Sequence, residues 1–430
     1  MTQRYDAVIV GAGLSGLAAA RQLSIHGAQV CVVEATDGVG GRVRSDRLDG
    51  FILDRGFQLY NPAYPEAARV LDHEALDLRP LVRGMDLVRS TRRGRKVVKL
   101  GDPRSPSNWH LSALSRGVGT IAGKAAFATY ALKASRLRGR QFDERPDEPA
   151  QVALARAGID ATMIDEVLKP FLTGVFLEPH LMTSRRFMDA VLASFVTGTP
   201  SLPAQGMQAI PDQLHHALPE GAVHLGRPAR GVRADHVDTD DGRLDARVVI
   251  VATDAPTAAD LLPGSDIRTA GNSVTTWYHA VADADLGSPL AGGRSVLTLD
   301  ARPRGPVINS VPLNYAVPTY APAGTTLVSS STLGVHGATE AEVREHLTHL
   351  YGMSTSRWEL LARYDIPYAL PSMRPPLTIA SRQPDHPVIL AGDHTATASI
   401  QGAMVSGRKA ADRALDRLGI RRPDDHRVGV

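Results

Sequence analysis

The feature that most constrains this chain is a glycine-rich turn close to its start, between a predicted strand and a predicted helix. The apolar, β-branched run at 6–10 predicts a buried strand, and residues 11–16 follow it directly as G-A-G-L-S-G, a G-x-G-x-x-G pattern. Residues 17–26 then place apolar side chains on one helical face, and 30–33 predicts a second strand. This order of elements predicts a βαβ unit of an α/β domain.

Each part of this turn has a physical role in binding a dinucleotide. Gly11 allows the tight turn, Gly13 lets the backbone approach a pyrophosphate, and Gly16 lets the helix pack close to the strand. The pyrophosphate would lie at the helix N-terminus, where free N–H groups and the helix dipole favour an anion. Glu34 lies 18 residues after Gly16, where a carboxylate accepts from a ribose 2′-OH and repels a 2′-phosphate. The pattern therefore predicts a dinucleotide site that disfavours NADP.

Composition narrows the class of protein that carries this site. The chain has 430 residues, enough for two domains, and its net charge of +3 is too small to indicate nucleic-acid binding. No apolar run reaches the roughly 20 residues that span a bilayer, and nothing before the first strand resembles a signal peptide. Cys31, the only cysteine, is predicted to be a core residue, and no Cys/His cluster indicates a metal. We therefore expect a cytoplasmic protein without a metal.

A second glycine cluster and the C-terminal part of the chain extend the prediction to a flavin. Residues 38–45 read G-V-G-G-R-V-R-S, and this G-G-R resembles the signature of FAD-binding members of the Rossmann group. Near the other end, 387–391 predicts a buried strand that ends at Gly392-Asp393, and 400–418 predicts a long helix. The Asp393 carboxylate can accept from ribityl hydroxyls, while the helix N-terminus can direct its dipole at flavin N1 and O2. The implied cofactor is FAD, bound without a covalent link.

Three blocks of the sequence resemble the superfamily of FAD-dependent amine oxidases, protoporphyrinogen oxidases and carotenoid desaturases. They are V-I-V-G-A-G-L-S-G-L…V-E-A-T-D-G-V-G-G-R within 8–45, a D-G turn and V-V-I-V-A-T within 229–253, and I-L-A-G-D…S-I-Q-G-A-M-V-S-G-R-K-A-A within 389–411. The first and last blocks are specific, and the middle one is generic. The desaturase-like branch looks closer, because residues 392–393 are G-D where many amine oxidases have G-E, and because 171–176 reads F-L-T-G-V-F.

The resemblance implies an α/β fold with a discontinuous Rossmann-like FAD-binding domain. That domain would consist of residues 1–80, 205–265 and 365–420. An α+β substrate domain with helices and an antiparallel sheet would consist of residues 81–204 and 266–364, and residues 421–430 would form a loose charged tail.

The resemblance also implies a set of cofactor-binding residues. Ala229 is implied near the adenine through its backbone, although valine is usual at that position. The residues implied at the adenosine and pyrophosphate are Gly11, Gly13, Leu14, Ser15, Gly16, Glu34, Ala35, Gly40, Gly41 and Arg42. Those implied at the ribityl chain and the flavin ring are Gly392, Asp393, Gln401, Gly402, Ala403 and Met404.

Catalytic residues are not assigned by the sequence, because hydride transfer to flavin N5 needs position and a dry pocket but not always a base. Several side chains are candidates, each with a structural alternative. They are His279 and His394 as bases, Arg55 and Gln58 either facing the ring or bracing the domain junction, and Tyr364 and Tyr368 either as part of an aromatic cage or as simple packing.

Three functions follow from these patterns. The leading one is dehydrogenation of a hydrophobic small molecule, such as an isoprenoid or a porphyrinogen. The second is a flavin amine oxidase that produces an imine and hydrogen peroxide, although Ser399-Ile400 offers no aromatic side chain for a cage. The third is a flavoprotein isomerase without net redox turnover. Oxygen and a quinone are both open as the electron acceptor.

Other segments carry expectations about structure. Residues 62–76 predict a helix, 161–171 another, and 171–177 an apolar run broken by Gly174. The alanine-rich stretch 109–138, with its scattered cations, is interpreted as one or two packed helices. The alternative is a surface that contacts a membrane peripherally.

Overall fold

Two large sheets carry the fold in the computed structural model, which describes residues 4–102, 104–105, 118–287, 290, 293–377 and 386–421. The strands are β1 (Arg4–Val10), β2 (Val30–Val33), β3 (Ser45–Leu48), β4 (Phe51–Asp54), β5 (Leu78–Pro80), β6 (Gly84–Thr91), β7 (Gly94–Gly101), β8 (Ser201–Pro203), β9 (Val223–His224), β10 (Ala229–Val232), β11 (His236–Thr239), β12 (Gly242–Val251), β13 (Gly271–Ala282), β14 (Leu297–Asp300), β15 (Val307–Pro312), β16 (Thr325–Leu333), β17 (Glu359–Pro371) and β18 (Ile389–Leu390). The helices are α1 (Leu14–Ile25), α2 (Pro65–Val70), α3 (Ile121–Ala134), α4 (Ala150–Arg156), α5 (Ala161–Met163, continued by the π-helical Ile164–Leu168 and by Lys169–Phe176), α6 (Arg185–Thr197), α7 (Ala209–His216), α8 (Ala255–Leu261), α9 (Glu340–Tyr351) and α10 (Ile400–Leu418).

The first sheet joins both ends of the chain to its middle. Its strand order is β10-β11-β12-β1-β2-β9, and β18 pairs with the second half of β12. β1 runs parallel to both neighbours, since Val8 lies opposite Cys31 on one side and Val249 on the other. β18 is also parallel, with Leu390 opposite Val251. The predicted Rossmann-like sheet built from three separate segments is confirmed.

Apolar side chains on both faces of this sheet explain the near-continuous apolar runs in the sequence. Ile9 and Ile250 face the layer formed by α1 and α10. Val8 and Val249 face the opposite layer, which contains the β10–β11 hairpin and Ala258 of α8. Because parallel strands are buried between two layers, a regular polar–apolar alternation is absent from β1 and β2.

The second sheet has the order β17-β13-β16-β15-β14-β6-β7. Its pairs are antiparallel apart from β14 and β6, which are parallel, so the predicted antiparallel sheet is in fact mixed. Side chains alternate across β13 as the strand period requires. Tyr278 faces the core shared with the first sheet, whereas Trp277 and Val281 face α9. The second sheet therefore lies between the candidate cofactor region and α9.

The helical region packs on the β6–β14 side of the second sheet. Leu172 of α5 and Met188 of α6 are fully buried in one core with Leu87 and Leu299 of the sheet. Residues 109–117 of the predicted helical stretch lie outside the described residues, and α3 covers Ile121–Ala134 within the rest. Among the described helices, none has the length and apolar character needed to cross a membrane.

The helix predicted at 62–76 and the break predicted at Gly174 are both wrong, for local reasons. The helix predicted at 62–76 is limited to α2, because the Asp72 carboxylate accepts hydrogen bonds from the amides of Glu74 and Ala75 and so stabilises a turn instead. Gly174 does not break the chain, since α5 continues to Phe176. A Cβ at Gly174 would lie 2.8 Å from Nδ2 of Asn309, so this glycine allows close packing within a helix.

The domain boundaries remain a prediction, with one correction. β17 pairs with β13 along both strands, so residues 365–371 lie in the second sheet and not in the cofactor-binding domain predicted to begin at 365. β5 also pairs with β8, so the segment before residue 81 contacts the predicted substrate domain. Residues 422–430 of the predicted tail lie outside the described residues.

Candidate cofactor and active site

The glycine turn has the geometry that a bound pyrophosphate requires. Gly13 is extended, and its carbonyl accepts from the Leu17 amide at 2.9 Å, so α1 begins at Leu14, three residues before the predicted start. A Cβ at Gly16 would lie 1.9 Å from the Gly11 carbonyl oxygen, which excludes any side chain there. A Cβ at Gly13 would meet no protein atom within 4 Å. The turn is therefore closed towards the sheet at Gly16 and open at Gly13.

Glu34 closes the far side of the turn. Its carboxylate accepts from the Ala12 amide at 2.8 Å and from the amide and hydroxyl of Thr36 at 2.9 and 2.8 Å. A carboxylate has about four acceptor positions, so one position on Oε2 is left for a ribose hydroxyl. The adjacent Ala35 is exposed. The Arg227 amide donates to the Glu34 carbonyl at 2.8 Å, two residues before β10 begins at Ala229.

The second glycine cluster lies against the turn. The Gly40 amide donates to the Ala12 carbonyl at 2.8 Å, and a Cβ on Gly41 would approach the Cα of Gly13 to 3.4 Å. Gly40 and Gly41 both have positive φ angles, of 113° and 59°, which favour glycine. The structure therefore brings the two glycine clusters together, as predicted.

Arg42 connects this cluster to the other end of the chain. Its Nη2 atom lies 2.7 Å from Oδ1 of Asp393, and Nη1 donates to the Ala369 carbonyl at 2.8 Å. The Asp393 side chain is 6% exposed and that of Arg42 is 33% exposed. The guanidinium also lies 5.7 Å from the ring centroid of Tyr368. One side chain thus joins the N-terminal segment, the C-terminal turn and β17.

Helix α10 positions the C-terminal turn through two residues that the sequence did not single out. The hydroxyl of Ser406 accepts from the Gly392 amide at 2.9 Å and lies 2.7 Å from Oγ1 of Thr395. A Cβ on Gly407 would lie 2.0 Å from the Ser15 carbonyl oxygen, so α10 packs directly on α1. The adjacent S-G pair, 14 residues after Gly392, was the available signal.

Several groups at the start of α10 already have partners within the protein. The Ser399 side chain accepts from the Gly402 amide and its carbonyl accepts from Ala403, each at 2.9 Å, so these two amides are already bonded. Oε1 of Gln401 accepts from the Glu66 amide at 3.0 Å, and Met404 is fully buried in the core. These bonds support the fold, and the contact of this helix N-terminus with the flavin stays a prediction.

Arg55, Gln58 and Tyr364 act as braces. Arg55 forms a two-point ion pair with Asp46 at 2.8 and 2.9 Å, and the Tyr364 hydroxyl donates to the same carboxylate at 2.8 Å. Nε2 of Gln58 donates to the Arg42 carbonyl at 2.7 Å. These contacts join β3 to β17 and hold the second glycine cluster in place.

His279 is not at the candidate site. It is fully buried on the α9 face of β13, with its ring 6.1 Å from that of Trp358 and Nε2 3.9 Å from the Glu340 carboxylate. Burial lowers its pKa to about 4. The neighbouring Tyr278 faces the cofactor side of the sheet, so His279 faces away from it. The prediction of His279 as a catalytic base is therefore wrong.

His394 and Tyr368 lie beside the Arg42–Asp393 pair with unused polar atoms. Three buried atoms have no hydrogen-bond partner among the described residues. They are the two ring nitrogens of His394 and the hydroxyl oxygen of Tyr368. Burial lowers the pKa of His394, more than Asp393 raises it. Buried polar atoms without partners are costly, and they are common where a ligand completes the bonding.

A family model that matches almost the whole chain shows which protein family it belongs to. The model described as flavin containing amine oxidoreductase matches residues 14–415. The chain belongs to this family.

Relatives within and around the amine oxidoreductase family point in more than one direction. A coproporphyrinogen III oxidase of Propionibacterium freudenreichii is 36% identical over 104 residues, which are 20% of this chain and 20% of that protein. A zeta-carotene-forming phytoene desaturase of Myxococcus xanthus is 29% identical over 284 residues, 60% of this chain and 54% of that protein. The matches thus span a fifth and about half of these relatives. An oxidoreductase structure from Methanosarcina mazei has a TM-score of 0.72 at 18% identity, covering 94% and 99% of the two chains, and shows a shared fold.

The cofactor of this amine oxidoreductase family member is FAD, and the described residues fit it. The open face of Gly13 leaves room for a pyrophosphate, and Glu34 retains an acceptor for a ribose hydroxyl. Among the described residues, the buried Ser15 hydroxyl has no hydrogen-bond partner at the start of α1, where an anion would complete its bonding. Within the described residues, no group of three or more His, Cys, Asp or Glu side chains is arranged to hold a metal ion.

Asp54, the last residue of β4, is a buried carboxyl beside this site. It accepts from the Ser45 hydroxyl at 2.6 Å, the Met207 amide at 2.9 Å and the Tyr320 hydroxyl at 2.9 Å. Its own carbonyl accepts from the Tyr278 hydroxyl at 2.8 Å. Burial raises the pKa of Asp54 to about 6, and these hydrogen bonds offset only part of that effect. The carboxyl joins β4, the segment before α7 and the second sheet.

Asp54 should make the free energy of unfolding depend on pH. Between about pH 4 and pH 6 the folded chain keeps a proton that the unfolded chain releases, so stability is complete below pH 4 and falls as pH rises to 6. The expected loss is about 3 kcal/mol. Asp54→Asn keeps the shape and removes the titration, so urea unfolding across this range should lose that slope. The exposed Asp49→Asn should keep it, and an unchanged slope in Asp54→Asn would contradict the assignment.

Proposed function

We propose that this protein is an FAD-dependent oxidoreductase that dehydrogenates a hydrophobic small molecule, such as an isoprenoid or a porphyrinogen. FAD supplies the hydride acceptor at N5. The observation that carries the proposal is the state of the two tyrosines on β17. The Tyr364 hydroxyl is bonded to Asp46, and the ring of Tyr368 already has the Arg42 guanidinium over it at 5.7 Å. A resident cation at this ring disfavours an ammonium group and suits a neutral substrate.

The residues of the candidate site would then have separate tasks. Glu34 and the open face of Gly13 would bind the adenosine and pyrophosphate, and Arg42 with Asp393 would hold the turn at the ribityl chain. His394 is predominantly neutral at pH 7, because burial lowers its pKa. Its two buried nitrogens can accept or relay a proton, so it is our candidate for a base.

An amine oxidase is the second candidate function, supported by the family and by the unbonded hydroxyl of Tyr368. An amine oxidase would pass its electrons to oxygen and release hydrogen peroxide. A dehydrogenase could pass them to oxygen or to a quinone. We propose a cytoplasmic location with peripheral membrane contact, which would give access to a lipophilic substrate.

Anaerobic bleaching of the flavin distinguishes these functions. Purified holoprotein is mixed without oxygen with one of two sets of compounds, and the flavin absorbance is followed. One set contains primary and secondary amines in buffer, and the other contains polyprenoids and porphyrinogens in liposomes. We expect bleaching by the lipophilic set only. Empty liposomes are the control.

Three outcomes would contradict the proposal in different ways. Bleaching by amines alone, with peroxide after oxygen is admitted, would establish the amine oxidase. Turnover only after chemical reduction of the flavin, with no acceptor consumed, would establish an isomerase. A purified protein that neither contains nor binds flavin would overturn the cofactor site itself.

A further inference from the structure

A basic cleft lies in the helical region, formed by residues outside the candidate cofactor site. It has a volume of about 420 Å³ and lies between α3, α4 and the start of α6. Its walls are small apolar residues together with the hydroxyls of Thr129 and Tyr130. Four cationic side chains complete the lining: Lys133, Arg145, Arg156 and Arg185.

Two carboxylates balance only part of this charge. Asp189 lies fully buried beneath the cleft, 3.3 Å from Nε of Arg145 and 3.6 Å from Nε of Arg185. Glu148 lies 2.6 Å from Nη1 of Arg156 and 3.3 Å from Nη1 of Arg185. The nearby carboxylates of Asp143 and Asp147 contact other groups, the Arg186 side chain and the Ser184 hydroxyl. Four cations against two carboxylates leave a positive cleft.

The ring of Tyr130 holds two of these cations in a fixed arrangement. The guanidinium groups of Arg145 and Arg185 lie 5.7 and 5.8 Å from its centroid, and its hydroxyl donates to Asp189 at 2.6 Å. The Arg185 Nε–H group is buried and makes no hydrogen bond within the described part of the chain. Lys133 is exposed and, among the described residues, has no carboxylate within 4 Å. The cleft thus has ordered arginines at its base and an unpaired lysine at its mouth.

Exposed apolar side chains surround the mouth. On α3, Leu132 is 49% exposed and adjoins Lys133, and Ile121 is 52% exposed one turn before the lining residue Ala125. On α4, Val152 is 43% exposed one turn before Arg156. Residues three or four apart share a helix face, so Ile121, Leu132 and Val152 lie on the faces that carry the lining residues Ala125, Thr129 and Arg156.

We propose that this cleft binds the phosphoryl headgroup of an anionic phospholipid, with the exposed apolar side chains entering the acyl boundary. Guanidinium groups bind phosphate oxygens strongly. A free phosphate would use the cations alone, whereas Ile121, Leu132 and Val152 gain nothing unless an apolar phase lies next to the headgroup. The inference deepens the peripheral membrane contact proposed above by naming its site and its lipid class, and it does not depend on the redox activity.

Vesicle binding by the flavin-loaded protein tests the proposal. Co-sedimentation is measured with vesicles of pure phosphatidylcholine and with equal parts phosphatidylcholine and phosphatidylglycerol. The wild type should bind only the anionic vesicles. The double variant Lys133→Gln/Arg156→Gln should bind them roughly 30-fold more weakly, because each cation near a membrane surface contributes about fivefold to binding. Leu132→Ser should weaken vesicle binding and leave calorimetric binding of inorganic phosphate unchanged.

A matched variant removes the same charge elsewhere. Arg92→Gln/Arg93→Gln lies in the exposed turn between β6 and β7 and should bind vesicles within about threefold of the wild type. An equal loss in both double variants would reduce the effect to general surface charge and overturn the proposal. Phosphate binding that depends on Lys133 and Arg156, without vesicle binding, would show that the cleft binds free phosphate and would contradict the proposal of a phospholipid headgroup. Flavin content and bleaching are measured on the same samples, so failure of the proposed function is seen separately.

Discussion

Gly13→Asp is expected to lower the affinity for FAD by about 1,000-fold while leaving the apoprotein as stable as the wild type. The new carboxylate would face the pyrophosphate, and like charges in contact cost several kcal/mol. The fold has no reason to suffer, since a Cβ at Gly13 meets no protein atom within 4 Å. Gly13 is also the N-cap of α1, a position that favours aspartate. Flavin titration gives the affinity, and urea unfolding of the apoprotein gives the stability.

Gly16→Ala is the matched control for the turn. Its Cβ would lie 1.9 Å from the Gly11 carbonyl oxygen, so it should lose both stability and FAD. The pair separates a contact with the ligand from a contact within the protein. Retention of FAD by Gly13→Asp would contradict the placement of the pyrophosphate, and unfolding of that variant would contradict the open space described at Gly13.

Arg42→Met is expected to reduce the free energy of unfolding by about 4 kcal/mol. The variant leaves the Asp393 carboxylate, which is 6% exposed, without its counter-charge, and it removes the bond to the Ala369 carbonyl. FAD should be lost as well, because the Gly392-Asp393 turn is no longer held against the second glycine cluster. Urea unfolding of the apoprotein measures the effect without the contribution of the cofactor.

Two further variants test whether the buried charge is the cause. In Arg42→Met/Asp393→Asn the unpaired charge is gone, so most of the lost stability should return, although FAD binding should not. Arg55→Met breaks a pair whose side chains are 38% and 35% exposed, and it should cost at most about 1 kcal/mol. Equal effects of Arg42→Met and Arg55→Met would contradict the special role of Arg42.

The sequence predicted best those parts whose signals are contiguous. The strand, turn and helix around residues 11–16 depend on neighbours within a few positions, and α10 matches its predicted bounds at 400 and 418. The function of this local unit can be predicted because glycine spacing and helix periodicity are both patterns among residues a few positions apart in the sequence. The assembly of three segments into one sheet followed from the family resemblance and not from periodicity.

The sequence does not predict which face of the second sheet a side chain points to. His279 and Tyr278 are adjacent, and only the pairing of β13 decides that the tyrosine faces Asp54 while the histidine faces Trp358. A shift of one residue in register would exchange them. Tyr364 is a brace because the carboxylate of Asp46, 318 residues earlier, accepts a hydrogen bond from its hydroxyl. Such contacts depend on the closure of the fold and have no local signal.

The place of β18 in the first sheet also determines when this protein can bind its cofactor during synthesis. β12 ends at residue 251, but its parallel neighbour β18 begins at residue 389, so well over a hundred residues must leave the ribosome in between. At ordinary elongation rates this takes on the order of ten seconds. Throughout that interval the carboxyl half of β12 has an unpaired edge and Arg42 has no Asp393 to bind. The nascent chain must therefore be protected from aggregation until β18 and α10 arrive, and we expect the complete FAD site to form only after both have been synthesised.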